Sequence, residues 1–497
     1  MITLTRIQAR RLRTVFRRRR LGIHHKGLVP PLVFSNDPNT GLRVRHHRPP
    51  LAVECLLPAT ADSSGPVLLP LDALADFEGK DGATVVLETS APGRTVARWS
   101  DRGIPQIREY AVPALDSLPA FPGPPEGFQS VPAGLLDALA EASATTDSAS
   151  TRYALDCLQL RGETGEIIAT DGRQILIRGG FSFPWPGDVL VRGTPACAAP
   201  DLPRDRPIRI GKTEGHVVLV VGPWTFYLAI ATEARFPRIE NAIPDPAAIA
   251  TRVQLDPADV AFLAEALDRL PGADDHNAPV TIDCNGQVVV RAQANDQDRP
   301  TELILARSRY TGPPARLATN RFYLGRALKL GFVEVGLAGP FVAVTCRDGR
   351  NLFLWQPLHQ DAALGPADDA VRIASTANGS IPAPIASRRP EPPMSHPSRD
   401  PEPDARHGPP GTNGHAHANG HGHGPNNNIS SIGTGDEAGT GTATLIQEAV
   451  ALHEALSDAR ARAQRLIAAL RRQRKHDRAV KSALDSLRQL KLQEVAE

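Results

Sequence analysis

No two of the five cysteines (Cys55, Cys157, Cys197, Cys284, Cys346) stand at C-x-x-C or similarly close spacing. Neither a disulfide framework nor a zinc knuckle is indicated, and a reducing, cytoplasmic setting fits. No apolar run approaches the ~18 residues that argue for a membrane span, so no membrane partner is expected. The arginine-rich N-terminus lacks the uninterrupted apolar stretch of a secretory signal; its composition alone leaves an amphipathic organelle-targeting segment open. Walker loops, G-x-S-x-G and H-E-x-x-H are all missing, so no enzyme constellation can be read. No cofactor or resident metal is expected. His415, His417, His421 and His423 could offer imidazoles to a transition metal, but no carboxylate nearby would orient them, and a flexible polar spacer is the preferred reading.

What is abundant is proline (46), glycine (41) and apolar side chains (41%). That mixture builds real cores separated by non-globular stretches, and 497 residues suggest three or more domains. Net charge is only +2, yet residues 1–50 hold twelve Lys/Arg against one acid, Asp37. Such asymmetry matters more than the total when nucleic acid is the suspected partner.

Three stretches repeat one plan at intervals of about 125 residues, a tandem repeat of whole domains. Each opens with an amphipathic helix, from about Thr5, Val131-Pro132 and Asp256-Pro257. Short alternating strands follow, with hairpin signals at Asp171-Gly172, Asn285-Gly286 and Asp348-Gly349, where positive φ is needed. A second helix falls mid-stretch at Leu71–Phe77 and Asn320–Lys329. Its counterpart within Thr194–Pro203 is poor because that segment holds three prolines. The expected fold is α+β, with domains at 1–124, 125–247 and 248–361.

Composition shifts at 362. Residues 362–441 are rich in Pro, Gly, Ser, Asn and His and are expected to form a disordered linker, with an end-to-end distance of about 50 Å. Residues 442–497 lack Gly and Pro and carry Leu445, Ala449, Leu452, Leu456, Ala459, Ala463, Leu466 and Leu470 at heptad spacing. A coiled coil roughly 80 Å long is expected; a single helix docked on the body is the alternative.

The most specific signal is the order Tyr153-x-Leu155, then Ala169-Thr-Asp-Gly172, then Arg235-Phe-Pro237 with Pro244 seven residues on. This order resembles the middle domain of the bacterial DNA polymerase III β subunit, the sliding-clamp family. The resemblance spans residues 1 to about 359, weaker in the third stretch and weakest in the first, where Leu118-Pro-Ala-Phe-Pro122 echoes a domain-closing Asp-Phe-Pro. It implies three tandem clamp domains and a non-catalytic homodimeric ring that encircles double-stranded DNA. It also implies a cleft where DNA polymerase, clamp loader or repair proteins insert short peptides. Carried over residue by residue, that cleft comprises Leu155, Thr170, Gly172, Arg173, Ile175, Pro237, Ala242, Ile243, Leu354, Gln356, Pro357 and Leu358. Two departures stand out: Thr170-Asp-Gly-Arg-Gln-Ile175 replaces the family's Thr-Asp-Gly-His-Arg-Leu, and Gln356-Pro-Leu358 replaces Met-Pro-Met. Near the terminus, Gln489-Leu-Lys-Leu492 resembles the start of the family's own clamp-binding peptide but lacks its aromatic.

For DNA, the first helix is read as Thr5–Arg20. Leu4, Ile7, Leu12, Val15 and Phe16 form its buried stripe, with Arg6, Arg10, Arg13, Arg17 and Arg20 facing outward. Arg321, Arg326 and Lys329 supply a smaller basic patch. Against these stand acids on the other opening helices: Asp137, Glu141, Asp259, Glu265 and Asp268. That balance keeps two further readings open, a clamp-derived scaffold that no longer encircles DNA and a regulator that binds DNA through its basic arm.

Overall fold

Thr5 ends one element and begins the next. Its hydroxyl accepts from Gln8 N (3.2 Å) while Gln8 Oε1 accepts from Thr5 N (2.7 Å), a reciprocal cap that launches helix α1 (Arg6–Val15) directly from strand β1 (Ile2–Thr5). The computed structural model describes residues 1–24, 27–37, 39–58, 65–147 and 154–375. Two later helices begin in a similar way. Asp256 accepts from Ala258 N (2.9 Å) ahead of Pro257 at the start of α4 (Pro257–Ala266), and Asn320 accepts from Phe322 N (2.8 Å) at α5 (Arg321–Lys329). The other α-helices among the described residues are α2 (Leu74–Phe77) and α3 (Gly134–Ser143). Helices pack in pairs, α1 on α2 and α4 on α5, while α3 meets a single 3₁₀ turn, Pro195–Ala198.

The described strands form four sheets. The smallest runs β1, β6 (Thr84–Ala91), β7 (Arg94–Asp101), β8 (Ile104–Ala111). An eight-stranded sheet runs β5 (Val67–Leu69), β2 (Leu32–Asp37), β3 (Gly41–Arg48), β4 (Leu51–Leu57), then β16 (Trp224–Ala229), β15 (His216–Val221), β14 (Ile208–Lys212), β9 (Gln129–Val131). A nine-stranded sheet runs β13 (Asp188–Arg192), β10 (Cys157–Arg161), β11 (Glu166–Thr170), β12 (Gln174–Arg178), then β25 (Asn351–Trp355), β24 (Val344–Asp348), β23 (Glu334–Leu337), β17 (Thr251–Gln254), β21 (Arg309–Thr311). The last runs β22 (Ala315–Asn320), β18 (Pro279–Asn285), β19 (Gln287–Ala292), β20 (Thr301–Leu305), β26 (Val371–Ala374). Both long sheets are spliced from stretches far apart in sequence. Antiparallel joints make the splice: Cys55↔Trp224 through Leu51↔Leu228, and Gln174↔Trp355 through Ile177↔Leu352.

Helices and sheets share one core. Phe16, Phe34, Phe77, Phe226, Phe262, Phe332, Phe353 and Trp355 are its largest fully buried members, and Phe16 meets Trp224 of the first joint at 5.4 Å. Burying each such ring contributes about 1.5–3 kcal/mol.

Two expectations need correction. Helix α1 stops at Val15, with buried Phe16 as its C-cap, so Arg17 and Arg20 lie beyond the helix; buried Leu21 and Ile23 pull the chain back onto the core. Nor does the folded chain end at 361. Residues 362–375 continue as ordered chain, and Val371–Ala374 joins the last sheet beside β20. The linker and coiled-coil expectations beyond Ser375, with the histidine tract and Gln489–Leu492, fall outside the described residues, as does Tyr153.

All five cysteines are free and buried. Burial pushes the thiols of Cys55, Cys157, Cys197 and Cys284 up to about 12 and raises Cys346 as well, so almost no thiolate exists at mildly alkaline pH. A thiol-specific disulfide reagent should therefore leave the native protein nearly unreacted over minutes and titrate five thiols after unfolding in guanidinium. Rapid reaction of any thiol before unfolding would contradict the buried placement.

Candidate functional site

The second joint has two faces. Strand alternation sends Leu176 and Phe353 into the main core, while Ile175, Ile177, Leu352 and Leu354 turn the other way. Together with Ile168, Ile239 and Ala343 these form a separate apolar cluster, with Phe236 and Ile243 packed against it. Above it opens a cleft of about 520 Å³.

Nine of the twelve expected residues line that cleft: Leu155, Thr170, Gly172, Arg173, Ile175, Pro237, Ala242, Leu354 and Gln356. Three do not. Ile243 props the apolar cluster from beside the cleft. Pro357 is buried, and Leu358 donates its amide to Ala318 O of β22 (2.8 Å); the chain has already turned toward the last sheet. Arg238, Ile239, Asn241, Pro244, Phe341, Val342 and Ala343 complete the lining. Phe341 and Val342 were invisible to strand periodicity because they sit in a loop, yet they are 67% and 38% exposed. The sequence offered only an apolar pair directly after the turn-forming Gly339-Pro340.

The Asp171-Gly172 turn is built from its own side chains. Asp171 Oδ1 accepts from Arg173 N (2.9 Å) and Gln174 N (3.0 Å), and its Oδ2 accepts from Gln174 Nε2 (2.8 Å). Thr170 Oγ1 donates to Gln174 O (2.7 Å) and accepts from Gly172 N (3.0 Å), so Thr170 shapes the wall with no hydroxyl proton left for a ligand. Gly172 has φ +85°, a conformation that a side chain would strain. Arg173, Arg238, Asn241 and Gln356 add polar groups to the lining. An apolar floor with few polar groups at its edge suits an extended peptide bearing large apolar side chains.

The candidate DNA arginines divide sharply. Arg10 and Arg17 are exposed, Arg20 is half-exposed, and Lys329 is exposed. Arg6 is buried instead. It ion-pairs with Asp81 (3.2 Å) and Asp101 (2.9 Å) and donates to the carbonyls of Phe77, Glu78 and Ser100; Gly79 makes room, since a Cβ there would stand 2.7 Å from Arg6 Nε. Arg13 is paired with Glu78. Arg321 is buried and donates to the carbonyls of Leu267 (3.1 Å), Leu270 (2.6 Å), Pro271, Ala278 (3.2 Å) and Pro279. Arg326 binds the end of α3 through Glu141 O (3.0 Å), Ala144 O (2.8 Å) and Thr145 Oγ1 (2.7 Å), with Phe353 beneath it. Burial holds both Arg321 and Arg326 below the usual arginine range, yet both stay charged at neutral pH. Arg6, Arg321 and Arg326 are therefore structural ties.

The acids on the opening helices are also largely neutralised. Asp137 meets Arg204, Glu141 meets Arg178 (2.8 Å) and Glu265 meets Arg269 (3.1 Å). Asp259 is fully buried and accepts from Arg307 N (3.0 Å) and Ser308 N (2.7 Å). Beside α1, exposed Arg10 and Arg11 join Lys80 and Arg206 around a groove of about 640 Å³ that also includes Asp201.

Arg321→Ala should cost about 3–5 kcal/mol, because it orphans several buried carbonyls, whereas Arg10→Ala should change stability by less than about 0.5 kcal/mol. Urea unfolding followed by circular dichroism would check both; equal effects would refute the division into structural and free arginines.

No protein-family model matches the chain, and no curated protein matches it. Solved structures do. A DnaN sliding clamp (DNA polymerase III subunit beta) from Pseudomonas aeruginosa, bound to griselimycin, aligns with TM-score 0.59 at 16% identity, covering 72% of this chain and 99% of that one. A putative DNA polymerase III beta subunit from Eubacterium rectale gives 0.58 at 14%, covering 72% and 98%, and a DNA polymerase III beta chain from Streptococcus pneumoniae gives 0.58 at 14%, covering 72% and 99%. The chain thus has the α+β fold of the bacterial DNA polymerase III β sliding clamps.

Proposed function

We propose that this chain is a non-catalytic, cytoplasmic sliding-clamp-like processivity factor that closes as a head-to-tail dimer around duplex DNA. Its three domains divide near 124 and 247. DNA polymerase, clamp loader or repair proteins would dock short peptides in the cleft over the second joint. The observation that carries the reading is the convergence of nine expected residues on one apolar-floored cleft within a clamp fold.

The sheets support ring closure by their own internal logic. Strand β4 of the first stretch is joined to β16 of the second, and β12 of the second to β25 of the third. In the repeat, β4 and β12 each end a four-strand run, β5-β2-β3-β4 and β13-β10-β11-β12; the third such run is β22-β18-β19-β20. Likewise β16 and β25 begin runs whose counterpart in the first stretch is β8-β7-β6-β1. The unmade third joint is therefore β20 with β8, and two copies placed head to tail would make it twice. Arg10, Arg11, Arg17, Lys80, Arg206 and Lys329 would supply sequence-independent phosphate contacts.

A second reading, a clamp-derived scaffold that no longer encircles DNA, is favoured by one observation: Arg6, Arg321 and Arg326 are withdrawn from the basic surface.

A fluorescent peptide ending in Gln-Leu-x-Leu-Phe should bind the full chain at micromolar concentration. Val342→Glu should weaken it at least about tenfold, or about 1.4 kcal/mol. Arg10→Glu with Arg17→Glu should spare peptide binding but shorten retention on nicked circular DNA. Absence of peptide binding by the unmodified chain would overturn the cleft assignment; normal peptide binding with no topological retention would select the scaffold.

A further inference from the structure

Every described strand pairing is antiparallel except one. Strand β26 lies parallel to β20, Thr301↔Val371 through Ile304↔Ala374, and so covers the edge that the repeat leaves for the third joint. At the other end of the folded chain β8 is bare. It is eight residues long, exposes Ile104 (63%) and Ile107 (66%), and among the described residues its only strand partner is β7. A long open edge with apolar side chains is a surface that invites another strand.

The covering strand is pinned by side chains as well as backbone. Val371 N donates to Pro300 O (3.0 Å) and Ser375 N to Ile304 O (3.0 Å). Arg372 Nε donates to Glu302 Oε2 (3.0 Å), and the Ser375 hydroxyl binds Asp259. Glu302 and Asp259 are both buried. Even so, β26 has only four residues and none is fully buried, and parallel pairing is the weaker kind per residue.

We infer that Val371–Ala374 is an in-cis occupant of the ring-closing edge, and that a second copy's Ile104–Ala111 pairs with β20 only after this strand leaves. The competitor matches the site it would take. β8 is eight residues long against four for β26, and its Arg108 side, level with buried Ala97 and Leu87, would continue the core side of β20 that carries Leu303 and Leu305. The inference rests on the head-to-tail reading, which it deepens by naming what holds the ring open.

Hydrogen–deuterium exchange on the full chain tests it, because the readout at β8 does not depend on any association made elsewhere. In the unmodified protein, peptides covering Ile104–Ala111 should exchange fast and those covering Val371–Ser375 slowly. Ile373→Pro, which blocks continued pairing of β26, should release 371–375 and slow exchange at 104–111 by about tenfold or more. Adding Ile107→Asp should abolish that gain. Arg372→Glu, which sets like charge against Glu302 without altering the backbone, should act in the same direction and guards against a folding defect in the proline variant. Slow exchange at both segments in the unmodified protein would overturn the inference while leaving the ring intact. Release of 371–375 with 104–111 still fast in both variants would overturn the ring reading together with it.

Discussion

Open sheet edges are the constraint around which this chain is organised. A buried backbone N–H or C=O without a partner costs about 1–3 kcal/mol, and a sheet edge presents a row of them. Here edges are satisfied by borrowing from a distant stretch: β4 takes β16, β12 takes β25, and β20 takes β26. Each joint then anchors what lies on it. Trp224 of the first supports Phe16 behind α1. In the second, Trp355 Nε1 donates to Thr319 Oγ1 of the last sheet (2.7 Å), and Phe353 lies under Arg326. The cleft is the far side of that second joint, so its floor is as rigid as the sheet splice that makes it.

Arginine accounts for most of the difference between charge composition and charged surface. A guanidinium has five donors in a fixed fork, which suits it to collecting carbonyls at helix ends and loops. Arg6 and Arg321 occupy the first positions of α1 and α5 and both are used this way; Arg326 ties α5 to the end of α3. Arg178 and Arg204 quench acids of α3. What is left for a polyanion is narrower than the twelve basic residues of 1–50 imply, but the acidic helices also oppose it less than their sequence implies.

That outcome marks where sequence reading works and where it stops. Helix starts at Thr5, Asp256 and Asn320 are written in local capping chemistry, and Asp171-Gly172, Asn285-Gly286 and Asp348-Gly349 in the need for positive φ, so both were legible. The cleft was legible wherever its residues lie on strands or in a recognisable motif, as for Leu155, Ile175, Pro237 and Leu354. Phe341 and Val342 were not, because a loop has no period. Arg6 could not be told from Arg10 by spacing, since the groups that enclose it, from Phe77 to Asp81 and at Ser100 and Asp101, are remote in sequence. Strand β26 was hidden for another reason: four residues between Asp368-Asp369 and a Pro-, Gly- and Ser-rich stretch carry too little pattern to outweigh composition.

The side chains around β26 show why this short strand has one register. Across the last sheet, Arg316, Asp283, Arg291, Glu302 and Arg372 alternate in sign from β22 through β18, β19 and β20 to β26, each ion-paired to the next. The chain after the cleft crosses this sheet, with Leu358 N bonded to Ala318 O, Leu364 N to Thr281 Oγ1 (2.8 Å) and Arg372 to Glu302. Buried ion ladders add little net stability, because desolvation offsets most of the Coulomb gain. Their effect is on register. A slip of β26 by one residue would set Val371 or Ile373 against Glu302 and turn Arg372 toward the apolar core. Ile373 packs on that core now, so apolar and ionic sides specify the same alignment. A segment of four residues thus gains one defined position without the burial that would make it permanent.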